Sequence, residues 1–184
     1  MSEANQQVIE SLKYPIGRWV KPDIAQLESF KGWIEQIRQF PDSLQDLCRN
    51  LTAPDLALTY REGSWTVRQV VHHCADSHMN AYIRHKLAFT EDKPRISPYD
   101  ENLWSETKDV LEIDIEVSIS LLKALHQRWV SFLQALPEQD LLRSFYHPDK
   151  DRYISLFESA SLYAWHGLHH LAHIELALKN KQTS

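Results

Sequence analysis

Apolar residues recur at helical intervals in four long stretches of the chain. In the first, from about Asp23 to Asn50, residues Ile24, Leu27, Phe30, Ile34 and Ile37 return every three to four positions, the stripe that buries one helix face. Asp23, just after Pro22, is placed to cap its start. Pro41 has no N–H to give the helix and is expected to kink it or split it in two. The second stretch runs from Thr66 to about Phe89, and Thr66 with Gln69 has the spacing of a capping box. The third, from about Ile113 to Leu136, carries Val117, Leu121, Leu125, Trp129 and Phe132, and Pro137 stops it. The fourth, from about Leu156 to Lys179, opens on a second capping box, Ser155 with Glu158.

The connections are unequal. Residues 92–112 form a long segment containing Pro94, Pro98 and the run PYDENLW, and long loops in compact domains are often functional. Residues 145–155 read as an extended pair around a Pro-Asp turn. The pattern predicts an all-α protein, a four-helix bundle running up-down-up-down with the long loop between the second and third helices. Facing helices of such a bundle can build a ligand or metal site in the core.

With 184 residues the chain suits one domain, taken as 1–184. Its net charge of -5 argues against nucleic acid as a partner, because such proteins need a basic footprint. No apolar run approaches about 18 residues, so no membrane span is expected. The first residues lack the apolar core of a secretory signal, and Cys48 and Cys74 make no disulfide framework. These features together predict a soluble cytoplasmic protein. Glycine is scarce, at 4, and no phosphate-binding glycine loop is present.

Histidine changes the picture. Of 10 in the chain, His166, His169, His170 and His173 share one stripe of the fourth helix, and His72, His73, His78 and His85 lie on the second. His166/His170 and His169/His173 are two pairs one helical turn apart, a spacing that suits two ligands of one ion. The residues around them are apolar on all sides, so the helix should be buried and its imidazoles should need partners. Periodicity leaves two readings open: a set of core and rim histidines bonded to backbone or water, or a metal site. On the second helix, Val67, Val71, Cys74, Ala75, His78 and Tyr82 fall on one arc, and His73 lies opposite with Gln69, Asp76, Ser77, Asn80 and Arg84. That polar arc is either a solvated face or the lining of a wet cleft. Asp76, three residues after His73, could bond an imidazole ligand or a metal-bound water. Arg84 could bind a substrate carboxylate, pair with Asp76, or be a plain surface arginine. Cys74 belongs to the apolar arc and reads as an inert thiol. HExxH, CxxC and GxSxG motifs are absent.

The runs WTVRQVVHHCADSHMNAYIRHKLAFTED, PYDENLW and YAWHGLHHLAHI, with the N-terminal YPIG and the FYHPD segment, resemble the DinB-like four-helix metalloproteins, and most nearly their YfiT-like branch of metal-dependent hydrolases. The resemblance covers about residues 12–180. It implies one divalent metal ion per chain, zinc first and nickel second, held by three histidines. Carried over by position, the implied ligands are His73, His169 and His173. It also implies a homodimer. Three imidazoles would leave a tetrahedral ion one open position, where water is activated for hydrolysis of a small-molecule substrate. A metal-bound low-molecular-weight thiol, as in the related bacillithiol S-transferases, is the alternative, and a non-catalytic ion stapling the helices is the second. Asp76 and His166, each about one turn from an implied ligand, are the residues expected to do the acid–base work.

Overall fold

The computed structural model describes residues 3–23 and 26–181. Its bundle consists of α2 (Leu27–Cys48), α4 (Val67–Thr90), α7 (Ile115–Gln134) and α8 (Leu156–Lys181). Four short elements flank it: α1 (Glu3–Lys13), α3 (Ala53–Leu56), α5 (Glu101–Ser105) and α6 (Lys108–Glu112). Strands β1 (Ser144–His147) and β2 (Arg152–Ser155) form an antiparallel hairpin with Phe145 opposite Ile154, the extended pair that the sequence predicts.

The four-helix bundle is therefore the fold, but its helix order is not the simple up-down-up-down expected. Side chains of α4 and α7 meet in the same sense along both helices: His72 with Ser118, His78 with His126, His85 with Trp129 and Phe89 with Phe132. Those two helices are parallel. In contrast α8 runs against α4, since His73 meets His166 and His85 meets Ser159. α2 packs on α7 and α8, and α4 packs on the same two, so α2 faces α4 across one diagonal. The chain order is thus up-down-down-up. A chain leaving one end of α4 must return the whole length of a helix of 24 residues, about 36 Å, before α7 can start parallel to it. That return explains the length of the segment between them, where α5 and α6 form.

Local chemistry sets most boundaries. Thr66 and Gln69 make the reciprocal capping box at the start of α4. At α8 the Ser155 hydroxyl accepts the Glu158 N–H, but the Glu158 carboxylate turns to Arg152 at 2.6 Å and Lys21 at 3.6 Å. Asp23 does not cap α2, which starts four residues later after Gln26 with no side-chain cap; Ile24 lies outside the described residues. Pro41 neither splits α2 nor ends it, and its ring is buried in the helix interior. α1 is absent from the four predicted stretches, its apolar stripe being too short to stand out. No helix among the described residues is long and apolar enough to cross a membrane.

Candidate metal centre

His73 of α4 and His166 and His170 of α8 converge in the bundle interior, each offering one ring nitrogen, and these nitrogens all lie within 4.8 Å of one another. Nε2 of His73 stands 3.3 Å from Nε2 of His166. Two nitrogens held tetrahedrally at about 2.0–2.1 Å from one ion are separated by about 3.3 Å, so this pair already has the spacing of an ion's ligands. Burial, and then the neighbouring imidazoles, hold His166 and His170 well below the usual histidine value; burial brings His73 to about 4. All three rings are neutral at pH 7, the state in which imidazole binds a cation.

The implied ligands His169 and His173 lie on the same stripe of α8 but outside that convergent set. The His169 ring is stacked on Trp165 at 4.3 Å and on Tyr14 at 5.9 Å. His173 lies flat against Tyr60, ring centres 3.9 Å apart, and its Nε2 donates to the Lys13 carbonyl at 3.1 Å. His173 is thus bonded to the N-terminal segment, whereas His169 is held by ring stacking and its buried Nδ1 has no hydrogen-bond partner. His166, expected beside the centre, is part of the convergent set itself. Asp76 lies half-buried one turn along α4, with its carboxyl pushed up to about 6 by burial and then by Asp109. Among the described residues no hydrogen bond joins its carboxylate to the three imidazoles.

Hydrogen-bond parity shows what the remaining histidines do. A carbonyl oxygen only accepts, so His126 Nδ1, 2.6 Å from the Ile37 carbonyl, carries its proton. His126 is neutral, held down to about 4 by burial, so its Nε2 is a bare acceptor for His78 Nδ1–H at 2.8 Å. His78 Nε2 then accepts from His166 Nδ1–H at 3.0 Å. The only nitrogen left bare on His166 is the Nε2 that faces His73. A second chain runs from the other side. His173 Nε2–H donates to Lys13, its Nδ1 accepts from His170 Nδ1–H at 3.4 Å, and Nε2 of His170 is left bare. The ring orientation of two of the three convergent histidines is thus set by a row of imidazoles ending on a backbone carbonyl.

Both carbonyls are free for a reason visible in the chain. In an α-helix the carbonyl of residue 37 would accept the N–H of residue 41, and residue 41 is Pro41. Lys13 is the last residue of α1, where carbonyls have no helical partner. The other histidines of α4 are structural. His72 bonds Ser118 at 2.7 Å, and His85 links Ser159 at 2.7 Å with Trp129 at 3.0 Å, tying α4 to α7 and α8. Cys74 is fully buried, its thiol pushed up by desolvation, in keeping with an inert role.

A cavity of about 470 Å³ opens beside His73 and His166, roofed by the hairpin and the long connection and lined among others by Ser77, Tyr99, Tyr163 and Arg84. The hairpin is sewn to that connection by Tyr146 N–H to the Pro94 carbonyl at 2.9 Å and Ile96 N–H to the Tyr146 carbonyl at 3.1 Å.

Residues 36–174 match the model of the DinB superfamily. The chain belongs to that superfamily. It is 46% identical over 164 residues to YfiT of Bacillus subtilis (strain 168), covering 89% of this chain and 92% of that protein. It is 47% identical over 169 residues to OB0782 of Oceanobacillus iheyensis, covering 92% and 97%. Both are provisionally named metal-dependent hydrolases. The solved structure of B. subtilis YfiT, described as a four-helix bundle of unusual topology, superposes with a TM-score of 0.90 at 45% identity over 93% of this chain and 98% of that one. A mycothiol-dependent maleylpyruvate isomerase shares the fold alone, at 13% identity and a TM-score of 0.63 over 85% of this chain and 70% of that one. The comparisons bear out the family and the bundle expected from the sequence.

Proposed function

We propose that this member of the DinB superfamily is a metal-dependent hydrolase of a small molecule, with one divalent ion held by His73, His166 and His170. The observation that supports it most is the convergence of three neutral ring nitrogens, two with their lone pairs directed by carbonyl-anchored imidazoles, at the inner end of a cavity. This set differs from the implied His169 and His173; His173 Nε2 is bonded to the Lys13 carbonyl and the His169 ring is stacked on Trp165, outside the convergent nitrogens. Zinc, and after it nickel, suits three imidazoles. Such an ion would act as a Lewis acid, polarising the bond to be cleaved and activating water near neutral pH.

The chain's own groups supply the rest. His78 and His126 keep the His166 proton on Nδ1, and His173 does the same for His170. The Ser77 hydroxyl donates to the Tyr163 oxygen at 3.3 Å, which leaves the Tyr163 O–H free to donate to a substrate oxygen in the cavity. Asp76, with its carboxyl held near 6, is retained as the proton carrier at the edge of the centre. A homodimer in the cytoplasm belongs to the same reading; sedimentation of the purified chain tests the dimer.

The deciding experiment pairs metal analysis with an ester and amide panel, assayed with and without a small thiol. His73→Ala, His166→Ala and His170→Ala should each lose stoichiometric metal and thiol-independent hydrolysis. His169→Ala should keep its metal. Full metal occupancy in His166→Ala, or turnover seen only with thiol, overturns the reading.

A further inference from the structure

The far end of the cavity carries features that the histidine centre does not use. Three buried polar atoms there have no hydrogen-bond partner: Nε of Arg84, the hydroxyl of Tyr99 and Nδ1 of His147. All three residues line the cavity that His73 and His166 also border, and Lys150 lines it with them. Among the described residues neither Arg84 nor Lys150 makes an ion pair; Arg84 donates to the Ser97 carbonyl at 3.2 Å and reaches the Tyr163 hydroxyl. Arg152, close by, is already paired with Glu158. Arg84 in particular does not pair with Asp76.

Arg84 is half-buried at this end and Lys150 stands exposed at its rim, neither in an ion pair, and their neighbours register the field. Lys150 is held below its usual value by burial and then by Arg152 and Arg84, and His147 by burial and then by Arg84 and Lys150. Glu101 and Asp149 also line the cavity and, like Lys150, are exposed at its rim, where water screens them, whereas Arg84 is half-buried. The inner part of this end, where Nε of Arg84 and the Tyr99 hydroxyl have no partner, is therefore short of acceptors. An oxyanion supplies both a negative charge and acceptors only, which is what a guanidinium, an ammonium and a phenol lack there.

We propose that Arg84 and Lys150 form an oxyanion subsite that holds a terminal carboxylate or phosphate-type group of an elongated substrate, whose other end meets the histidine centre. His73 and Arg84 are eleven residues apart on α4, about 16 Å along its axis, so the two ends of the ligand are separated by several bonds. Phe145, Ile154 and Leu162 give the stretch between them apolar walls. That this ligand is the substrate rests on the hydrolase reading; the subsite itself rests on the geometry alone.

Binding, without turnover, tests it. Three probes of one length are titrated calorimetrically into the full chain: 6-phenylhexanoate, 5-phenylpentylphosphonate and the neutral 6-phenylhexanamide. At least one anion should bind about tenfold or more tightly than the amide, the size of one or two charge-assisted hydrogen bonds, and which anion binds better separates carboxylate from phosphate chemistry. Arg84→Gln should remove most of that ratio, and Arg84→Gln with Lys150→Gln should bring it to about one. Lys150→Gln alone, remote from the bundle core, provides a variant whose folding is not at issue. Equal binding of acid and amide, a preference that survives the double substitution, or no binding of either anion at millimolar concentration overturns the proposal. His166→Ala should keep the preference, so loss of metal or of hydrolysis leaves this result intact, and the two readings fail separately.

Discussion

His78 is the middle link of the imidazole row, and replacing it separates hydrogen bonding from packing. It is 1% exposed, and its ring packs on Phe40 at 4.9 Å, Trp129 at 5.8 Å and Tyr163 at 5.4 Å. His78→Phe keeps a planar ring in that place but removes one acceptor and one donor. His126 Nε2 and His166 Nδ1–H then lose their partners in the interior. Each orphaned group costs about 1–3 kcal/mol, so a stability loss of about 2–6 kcal/mol is expected, against a typical total of about 5–15. His166 can relieve its share only by moving its proton to Nε2, which occupies the lone pair that the proposed centre assigns to the ion. Loss of such a supporting contact lowers metal affinity by about 10–100-fold, or about 1.4–2.8 kcal/mol. His78→Gln offers a control, because its amide has an acceptor for His166 and a donor for His126. Competition with a chelating dye gives the affinities. ¹⁵N resonances of the metal-free protein report which nitrogen of His166 is protonated, Nδ1 in the parent and Nε2 in His78→Phe. The reasoning is refuted if folded His78→Phe binds metal as the parent does, or if His78→Gln loses as much affinity as His78→Phe.

Acid should unfold the protein through its histidines. Burial holds His73, His126 and His173 down to about 4, and His85 and His169 to about 3, against 6.5 in the unfolded chain. The unfolded state therefore takes up protons first, and stability present above pH 6.5 should fall as pH drops through 6.5 toward about 4 and 3, by up to about 1.4 kcal/mol per pH unit for each group. Asp76, held at about 6 against 3.8 unfolded, acts in the opposite sense but as a single group; urea titrations from pH 8 to 4 that show no decline contradict this account. In Gly167→Ala the new methyl would stand 2.8 Å from the Phe40 ring, which must shift against His78. Overpacking of about 1–3 kcal/mol should exceed the roughly 1 kcal/mol of helix propensity gained. Calorimetry should show a lower melting temperature, and the dye assay weaker metal binding. Stripping the metal from loaded protein should lower the melting temperature as well, since an ion at 100-fold excess over Kd adds about 2.7 kcal/mol. An unchanged melting curve after verified removal would show that the ion does not hold α4 to α8.

Much of the fold was legible in the chain because helix periodicity and caps are local. The four bundle helices begin and end within a few residues of their apolar stripes, and Thr66–Gln69 marks the start of α4 as a capping box should. The hairpin at 144–155 follows from its turn residues. Helix direction was not legible in the stripes of α4 and α7, and in α7 the stripe also missed the buried face, since Val117 and Leu121 are exposed while Ile115, Ile119 and Leu122 are buried. The length of the connection between the two helices was the available sign. Pro41 reads as a helix breaker in isolation, yet tertiary packing keeps α2 whole and puts the carbonyl it frees to use.

The candidate site divides along the same line. The chain by itself determined that four histidines share one stripe of α8 and that His73 could face them across a polar arc, since 100° per residue is a property of any helix. It could not choose between His166/His170 and His169/His173, because the two pairs have identical spacing. Only the tertiary structure separates them, by bringing one edge of the stripe to His73 and the other to α1, Tyr14 and Tyr60, which is why the proposed set is His73, His166 and His170. The physical reason is that a ligand set is a convergence of lone pairs from separate elements. Periodicity along one helix fixes the angle between its own side chains and leaves open which neighbour each one meets, and which of its two ring nitrogens is left bare.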